Sequence, residues 1–224
     1  MIREKIQPKR ATSLRKNSSR VQEMYLNSEY YESIYLINGN SFITRKLTDE
    51  DLLVQPDEYF MLMNMGDEEI TVDYSEDPTK LEVIYDPYLY ETSEKLNYTE
   101  EYFRQNYDIP EGYIDTLPKW YSFKFTYPDY NLIFLRPSLG ISIQIHKHRN
   151  EFWTILEGCP IILNGSRVYY FVKNGTKFEI PISTFHTVIN PNHQDRRFVV
   201  LEERWNGYFD ERDIERIFNP NHYK

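Results

Sequence analysis

Five side chains between positions 144 and 186 have the types and spacing to hold a metal ion: Gln144, His146, His148, Glu151 and His186. Along an extended strand, successive side chains alternate between faces. Gln144, His146 and His148 are therefore expected on one face, with Glu151 opening the next run and His186 arriving from a distant strand. Imidazoles and a carboxylate that converge inside a barrel form a divalent-metal site. A mixed N/O set ranks zinc first and also admits Mn, Ni, Co and Fe. By residue type, His146, His148, Glu151 and His186 rank ahead of Gln144, whose neutral amide is a weak ligand or an orienting group. Three of the five histidines in the chain lie in this pattern, which isolated surface histidines would not produce.

The elements that must position these groups read as mostly β. Four Asn-Gly pairs, Asn38-Gly39, Asn164-Gly165, Asn174-Gly175 and Asn206-Gly207, supply the positive φ of tight turns. Short β-branched or aromatic runs lie between them, including 33–37, 131–135, 141–145, 153–156, 168–172 and 198–201. Many short strands with regular turns indicate a sandwich or barrel. Two helices are expected: one over 99–107 with Thr99 as N-cap, and one over 211–218 capped by Asp210, with Ile214, Ile217 and Phe218 on one face.

Composition narrows the classes. The 224 residues carry 16% aromatics, including 20 Tyr and 13 Phe, which excludes global disorder. No apolar run approaches the ~18 residues of a membrane helix. The only cysteine, Cys159, cannot make an internal disulfide. A net charge of −9 opposes general nucleic-acid binding. The charge is uneven, with 3 basic and 20 acidic residues over 48–116. The chain divides into a basic mobile tail (1–22), a β-rich segment (23–85), an acidic, Tyr-rich connection with a short helix (86–118) and a metal-binding domain (119–224). The spacing Glu32 to Gly39 repeats that of Glu151 to Gly158. The 23–85 segment therefore reads either as a degenerate second barrel without histidine or as an unrelated β-rich extension.

The two informative stretches run from Gly140 through His146, His148 and Glu151 to Gly158, and from Gly175 through Pro181, Ser183 and His186 to Asn190. They resemble the paired motifs of the cupin superfamily, whose fold is a small β-barrel with a metal in its mouth. Ser142 to Trp153, together with Ile180-Pro181, His186, Asn190-Pro191 and Tyr208 to Arg216, further resembles the C-terminal cupin domain of type II phosphomannose isomerases. The resemblance covers about 118–224. It implies a cupin barrel (a double-stranded β-helix), as a bicupin if the first half is a degenerate barrel. It also implies interconversion of mannose 6-phosphate and fructose 6-phosphate.

On that resemblance the ligands are Gln144, His146, Glu151 and His186, with His148 as a fifth ligand or an acid/base. His148, Glu151 and Arg204 are assigned to catalysis. Arg136 and Arg149 are assigned to the phosphate and Trp153 to the sugar. The partner is a small sugar phosphate, and a cytoplasmic homodimer is the family expectation. Departures surround the ligand set: Pro118-Lys119-Trp120-Tyr121 replaces the family's Arg-Pro-Trp-Gly, Phe152 stands for a usual His, and Arg204 lies near a usual Gln. These changes keep two alternatives open. One is a non-catalytic sugar- or nucleotide-sugar-binding module. The other is a different cupin enzyme, a nucleotide-sugar epimerase/isomerase or an Fe(II) oxygenase.

Overall fold

The computed structural model describes residues 2–193, 197–207 and 211–221. The chain forms two compact units, Met1–Pro87 with Ser166–Val168, and Tyr88–Gly165 with Tyr169–Lys224. No helix among the described residues is long and apolar enough to cross a membrane.

The first unit contains β1 (Ile2–Ile6), β2 (Leu14–Lys16), β3 (Gln22–Tyr25), β4 (Ile34–Asn38), β5 (Ser41–Ile43), β6 (Leu53–Val54), β7 (Tyr59–Asn64), β8 (Ile70–Tyr74) and β9 (Glu82–Tyr85). They pair as β1-β8-β3-β6 and as β5-β4-β7-β2-β9. Asn38-Gly39 closes the β4–β5 hairpin, with Gly39 at φ +56°. Alternating apolar residues such as Ile34, Leu36, Phe60, Leu62, Ile70, Val72 and Tyr74 fill one core.

The second unit opens with α1 (Glu100–Asn106), capped by the Thr99 side chain as expected. The strands that follow are β10 (Asp115–Lys119), β11 (Ser122–Thr126), β12 (Asn131–Leu135), β13 (Leu139–Gly140), β14 (Ile143–His146), β15 (Arg149–Glu157), β16 (Ile161–Asn164), β17 (Arg167–Tyr169, whose Arg167 belongs to the first unit and pairs there with Ser41), β18 (Lys177–Ile180), β19 (His186–Asn190), β20 (Val199–Gly207) and β21 (Ile214–Phe218). One sheet runs β10-β11-β12-β20-β15-β18. In the other, β21-β14-β19-β16 are neighbours, and β13 also pairs with β19. One side of the first sheet packs an aromatic cluster of Phe103, Phe123, Phe125, Phe134 and Phe198. The other side carries Trp153, Ile155 and Leu201 into the barrel core.

The two units repeat one pairing scheme. Ile6↔Ile70, Met24↔Tyr74, Gln22↔Val54, Arg15↔Phe60 and the Ala11↔Met63 bridge recur as Leu135↔Val199, Trp153↔Glu203, Glu151↔Ile180, Gln144↔His186 and Gly140↔Ile189. A register irregularity falls at Leu14/Arg15 and again at the matching Ile143/Gln144. Asn64 and Asn190 match as well. Each is buried, each donates both amide hydrogens to backbone carbonyls, and each accepts the backbone N–H two residues on. On this register Asn17, Gln22 and Phe60 take the places of His146, Glu151 and His186. Asn17 instead ties three backbone carbonyls, and Phe60 packs in the core.

Several expectations are corrected. Residues 2–22 of the expected 1–22 segment are not a mobile tail: β1 pairs along β8, where Arg3 and Lys5 meet Asp73 and Glu69. The 86–118 connection is not a separate linker, because from Tyr88 onward it packs within the second unit and Phe103 is fully buried there. In this correspondence Gly39 matches Gly165 and Gln22 matches Glu151, so the Glu32–Gly39 spacing is not the matching one. The helix expected over 211–218 is a short turn (Glu211–Asp213) followed by β21, which pairs with β14. Asp210 lies outside the described residues.

Candidate metal centre

The site is built on β14, β15, β19 and β20. The β14–β19 pair sets Gln144 directly opposite His186. His146 follows Gln144 by two and shares its face. On β15, Arg149, Glu151 and Trp153 alternate inward, at 3%, 1% and 1% exposure. His146 Nε2 lies 2.9 Å from Glu151 Oε1, and His186 Nε2 lies 3.6 Å from Glu151 Oε2. One ligand atom from each of the three residues falls within 4.8 Å of the others. Gln144 Nε2 is 3.4 Å from His186 Nε2, and the Ser142 hydroxyl donates to Gln144 Oε1. Turning that amide by half a revolution presents its oxygen at the same place.

Neighbouring groups fix the chemistry of each ligand atom. The Thr184 carbonyl accepts from His186 Nδ1 at 2.8 Å, which leaves the Nε2 lone pair facing inward. Burial alone would push the Glu151 carboxyl up. The hydrogen bond from His146 and the charges of His186, His146 and Arg149 outweigh it and hold the carboxyl at about 2. Burial pushes His186 down to about 4 against the pull of Glu151, so its imidazole is neutral at pH 7. Trp153 Nε1 donates to Glu151 Oε2, and its ring stands edge-on to His186. Two imidazoles and one carboxylate converging on a point are the donor set a divalent ion takes.

The structure brings together Gln144, His146, Glu151 and His186, and adds Arg149. His148 is excluded. The strand β14 ends at His146, so the alternation stops there, and the His148 side chain is 67% exposed on the turn, 3.9 Å from Asp213. Arg136 donates to the Leu96 and Trp120 carbonyls and stacks on Tyr90 and Tyr98, away from the cluster. Arg204 points from the opposite face of β20, to Glu202, Asp129 and the Tyr130 ring. Trp153 is too buried to offer its face to a sugar.

Beside the ligands, a cleft is lined by Lys119, Lys124, Gln144, Arg149, Glu203 and Arg216. Sequence reasoning missed four of these. The signal was strand parity. In β10–β11, Lys119 and Leu117 sit opposite Ser122 and Lys124, so both lysines share one face. Glu203 sits opposite Trp153, on the face that Arg204 does not share. Glu203 accepts from Asn131 Nδ2 at 2.7 Å, and burial together with the Glu151 charge pushes its carboxyl up to about 7.

Residues 109–219 match the family model described as mannose-6-phosphate isomerase C-terminal. Two similar curated proteins are the alginate biosynthesis protein AlgA of Pseudomonas aeruginosa and a mannose-1-phosphate guanylyltransferase of Klebsiella pneumoniae. The first is 28% identical over 85 residues, covering 38% of this chain and 17% of the relative. The second is 34% identical over 87 residues, covering 39% and 18%. The chain thus spans less than a fifth of the length of either relative. A Rhodospirillum rubrum cupin-2 domain structure is 16% identical with a TM-score of 0.36, covering 42% of this chain and 64% of that one. At that score the superposition adds nothing to the strand ladders, from which the fold is read. The second unit is a cupin domain that resembles the C-terminal domain of mannose-6-phosphate isomerases.

Proposed function

We propose that the second unit is a metal-dependent sugar-phosphate isomerase, with mannose 6-phosphate and fructose 6-phosphate as the first pair to test. The observation that carries this reading is the convergence of His146, Glu151 and His186 on one buried point, beside an open cleft rimmed by cations. His146, Glu151 and His186 would hold the ion, with Gln144 in reach. When bound, the ion supplies an electrophile that stabilises the developing oxyanion of an enediol.

The chain's own residues supply the rest. Glu203 lines the cleft, and its carboxyl, near neutrality, can take the proton from C2 of the aldose and return it to C1. The hydroxyl proton passes from O2 to O1, so the reaction is redox-neutral. Lys119, Lys124 and Arg216 line the same cleft and replace Arg136 as partners for the phosphate. The test is a coupled assay of fructose 6-phosphate formation on metal-supplemented protein. Glu203→Gln is expected to lower kcat at least a hundredfold, within the usual contribution of acid–base catalysis, roughly 10²–10⁴-fold. His186→Ala is expected to abolish turnover. Full turnover in both variants would overturn the assignment.

One observation favours a second reading. Arg149 engages both Glu151 and His146, an arrangement compatible with a site that binds a sugar without turning it over. Saturable sugar-phosphate binding with no turnover in any metal would select it.

A further inference from the structure

The Arg149 side chain is 3% exposed and lies against the ligand set. Its Nε donates to Glu151 Oε1 at 2.9 Å, and its Nη2 lies 3.2 Å from His146 Nε2. The same His146 Nε2 lies 2.9 Å from Glu151 Oε1, and its buried Nδ1 has no hydrogen-bond partner among the described residues, so Nε2 is the nitrogen that Arg149 and Glu151 both engage. An imidazole nitrogen has one lone pair, so His146 Nε2 cannot ligate an ion while it accepts from Nη2 or while it carries its hydrogen toward Glu151 Oε1. A guanidinium does not lose its proton in a protein, so its charge must move rather than disappear.

Asp213 offers a place for it. Its carboxylate side chain is 3% exposed, with Oδ2 4.0 Å from Arg149 Nη1, and it is already held by the backbone N–H groups of Lys147 and His148. The first unit shows the alternative at the matching position. There Arg20, 129 places earlier as in the surrounding ladder, is turned outward at 80% exposure toward Glu76.

We infer that Arg149 is a resident counter-cation that a divalent ion displaces: the ion takes the His146 lone pair, and the guanidinium turns to Asp213. This rests on the metal-dependent reading of the site and adds to it a competitor that lowers the affinity for the ion. In the metal-free protein the guanidinium balances the buried Glu151 charge. With an ion bound, two like charges would otherwise sit side by side.

The experiment is calorimetric titration of the chelator-treated full chain with Zn²⁺ and with Mn²⁺, for wild type, Arg149→Met and Asp213→Asn. Removing a charge-assisted competitor is expected to tighten binding roughly 10- to 100-fold in Arg149→Met. Asp213→Asn, which removes the receiving charge, is expected to weaken it. Equal affinities in wild type and Arg149→Met overturn the inference and leave the metal reading standing. Loss of binding in a folded Arg149→Met also overturns it, because Arg149 would then support the site. If neither wild type nor Arg149→Met binds an ion, the metal reading falls and takes the inference with it. The side-chain ¹⁵N signal of Arg149 in the wild type is an independent check. It should shift and lose protection on adding metal, and an unmoved signal refutes displacement even if the variants fail to fold.

Discussion

Replacing Glu203 by Gln should change how the stability of the second unit depends on pH, and the sign follows from the burial. A free glutamate titrates near 4.5, whereas in the fold Glu203 is pushed up to about 7 by burial and by Glu151. The folded state therefore holds a proton that the unfolded chain has released between about pH 4.5 and 7. Stability contributed by the neutral carboxyl is full below 4.5 and is lost as pH rises through 7. A carboxyl that titrates near 7 in place of 4.5 corresponds to about 3 kcal/mol. A glutamine at this position keeps the size and the acceptor for Asn131 but cannot ionise. The difference in unfolding free energy, variant minus wild type, should rise by about 3 kcal/mol from about pH 4.5 to about pH 8. His186, pushed down to about 4, works the other way: stability is lost as pH falls from 6.5 toward 4. That contribution is common to both proteins and cancels. The assay is urea unfolding of chelator-treated protein followed by tryptophan fluorescence, which reports this unit alone because Trp120, Trp153 and Trp205 all lie in it. Glu202→Gln, on the opposite face and paired with Arg204, is the control and should show no such slope. A flat difference for Glu203→Gln, or one that falls with pH, would refute the burial reasoning.

Other consequences are as specific. A Cβ on Gly207 would meet the His148 carbonyl oxygen at 2.5 Å, at φ +112°, so Gly207→Ala should cost at least about 2 kcal/mol and lower the melting temperature of the unit. His148→Ala removes a side chain that is 67% exposed and should leave metal affinity within about twofold, within the roughly ±0.5 kcal/mol range of ordinary surface substitutions. His146→Ala, in the same titration, should abolish binding. Arg204→Ala breaks half-exposed surface ion pairs, and equilibrium unfolding should register less than about 1 kcal/mol.

The convergence of His146, Glu151 and His186 was legible from the strand parity around His146 and from a second motif that carries His186. His148 failed for a local reason: β14 ends at His146, and a turn breaks the alternation. Arg204 failed by one step of parity, with Glu203 the residue that faces the cleft. The remaining errors are non-local. Ile214, Ile217 and Phe218 do have helical spacing, but Phe218 lies opposite Ile143 in a ladder that local pattern does not contain. The basic N-terminus looked like a tail because its acidic partners, Asp73 and Glu69, lie more than sixty residues away. The spacing of Glu32 and Gly39 points to a repeat of the two units, yet only the ladders reveal its true register, in which His146 and His186 correspond to Asn17 and Phe60.

Counting ions at the buried point between His146, Glu151 and His186 tests the metal centre most directly. Chelator-treated protein titrated with Zn²⁺ and Mn²⁺ should take up one ion per chain, and His186→Ala, still folded, should take up none. Absence of binding in the wild type, or uptake that survives both His146→Ala and His186→Ala, would contradict it.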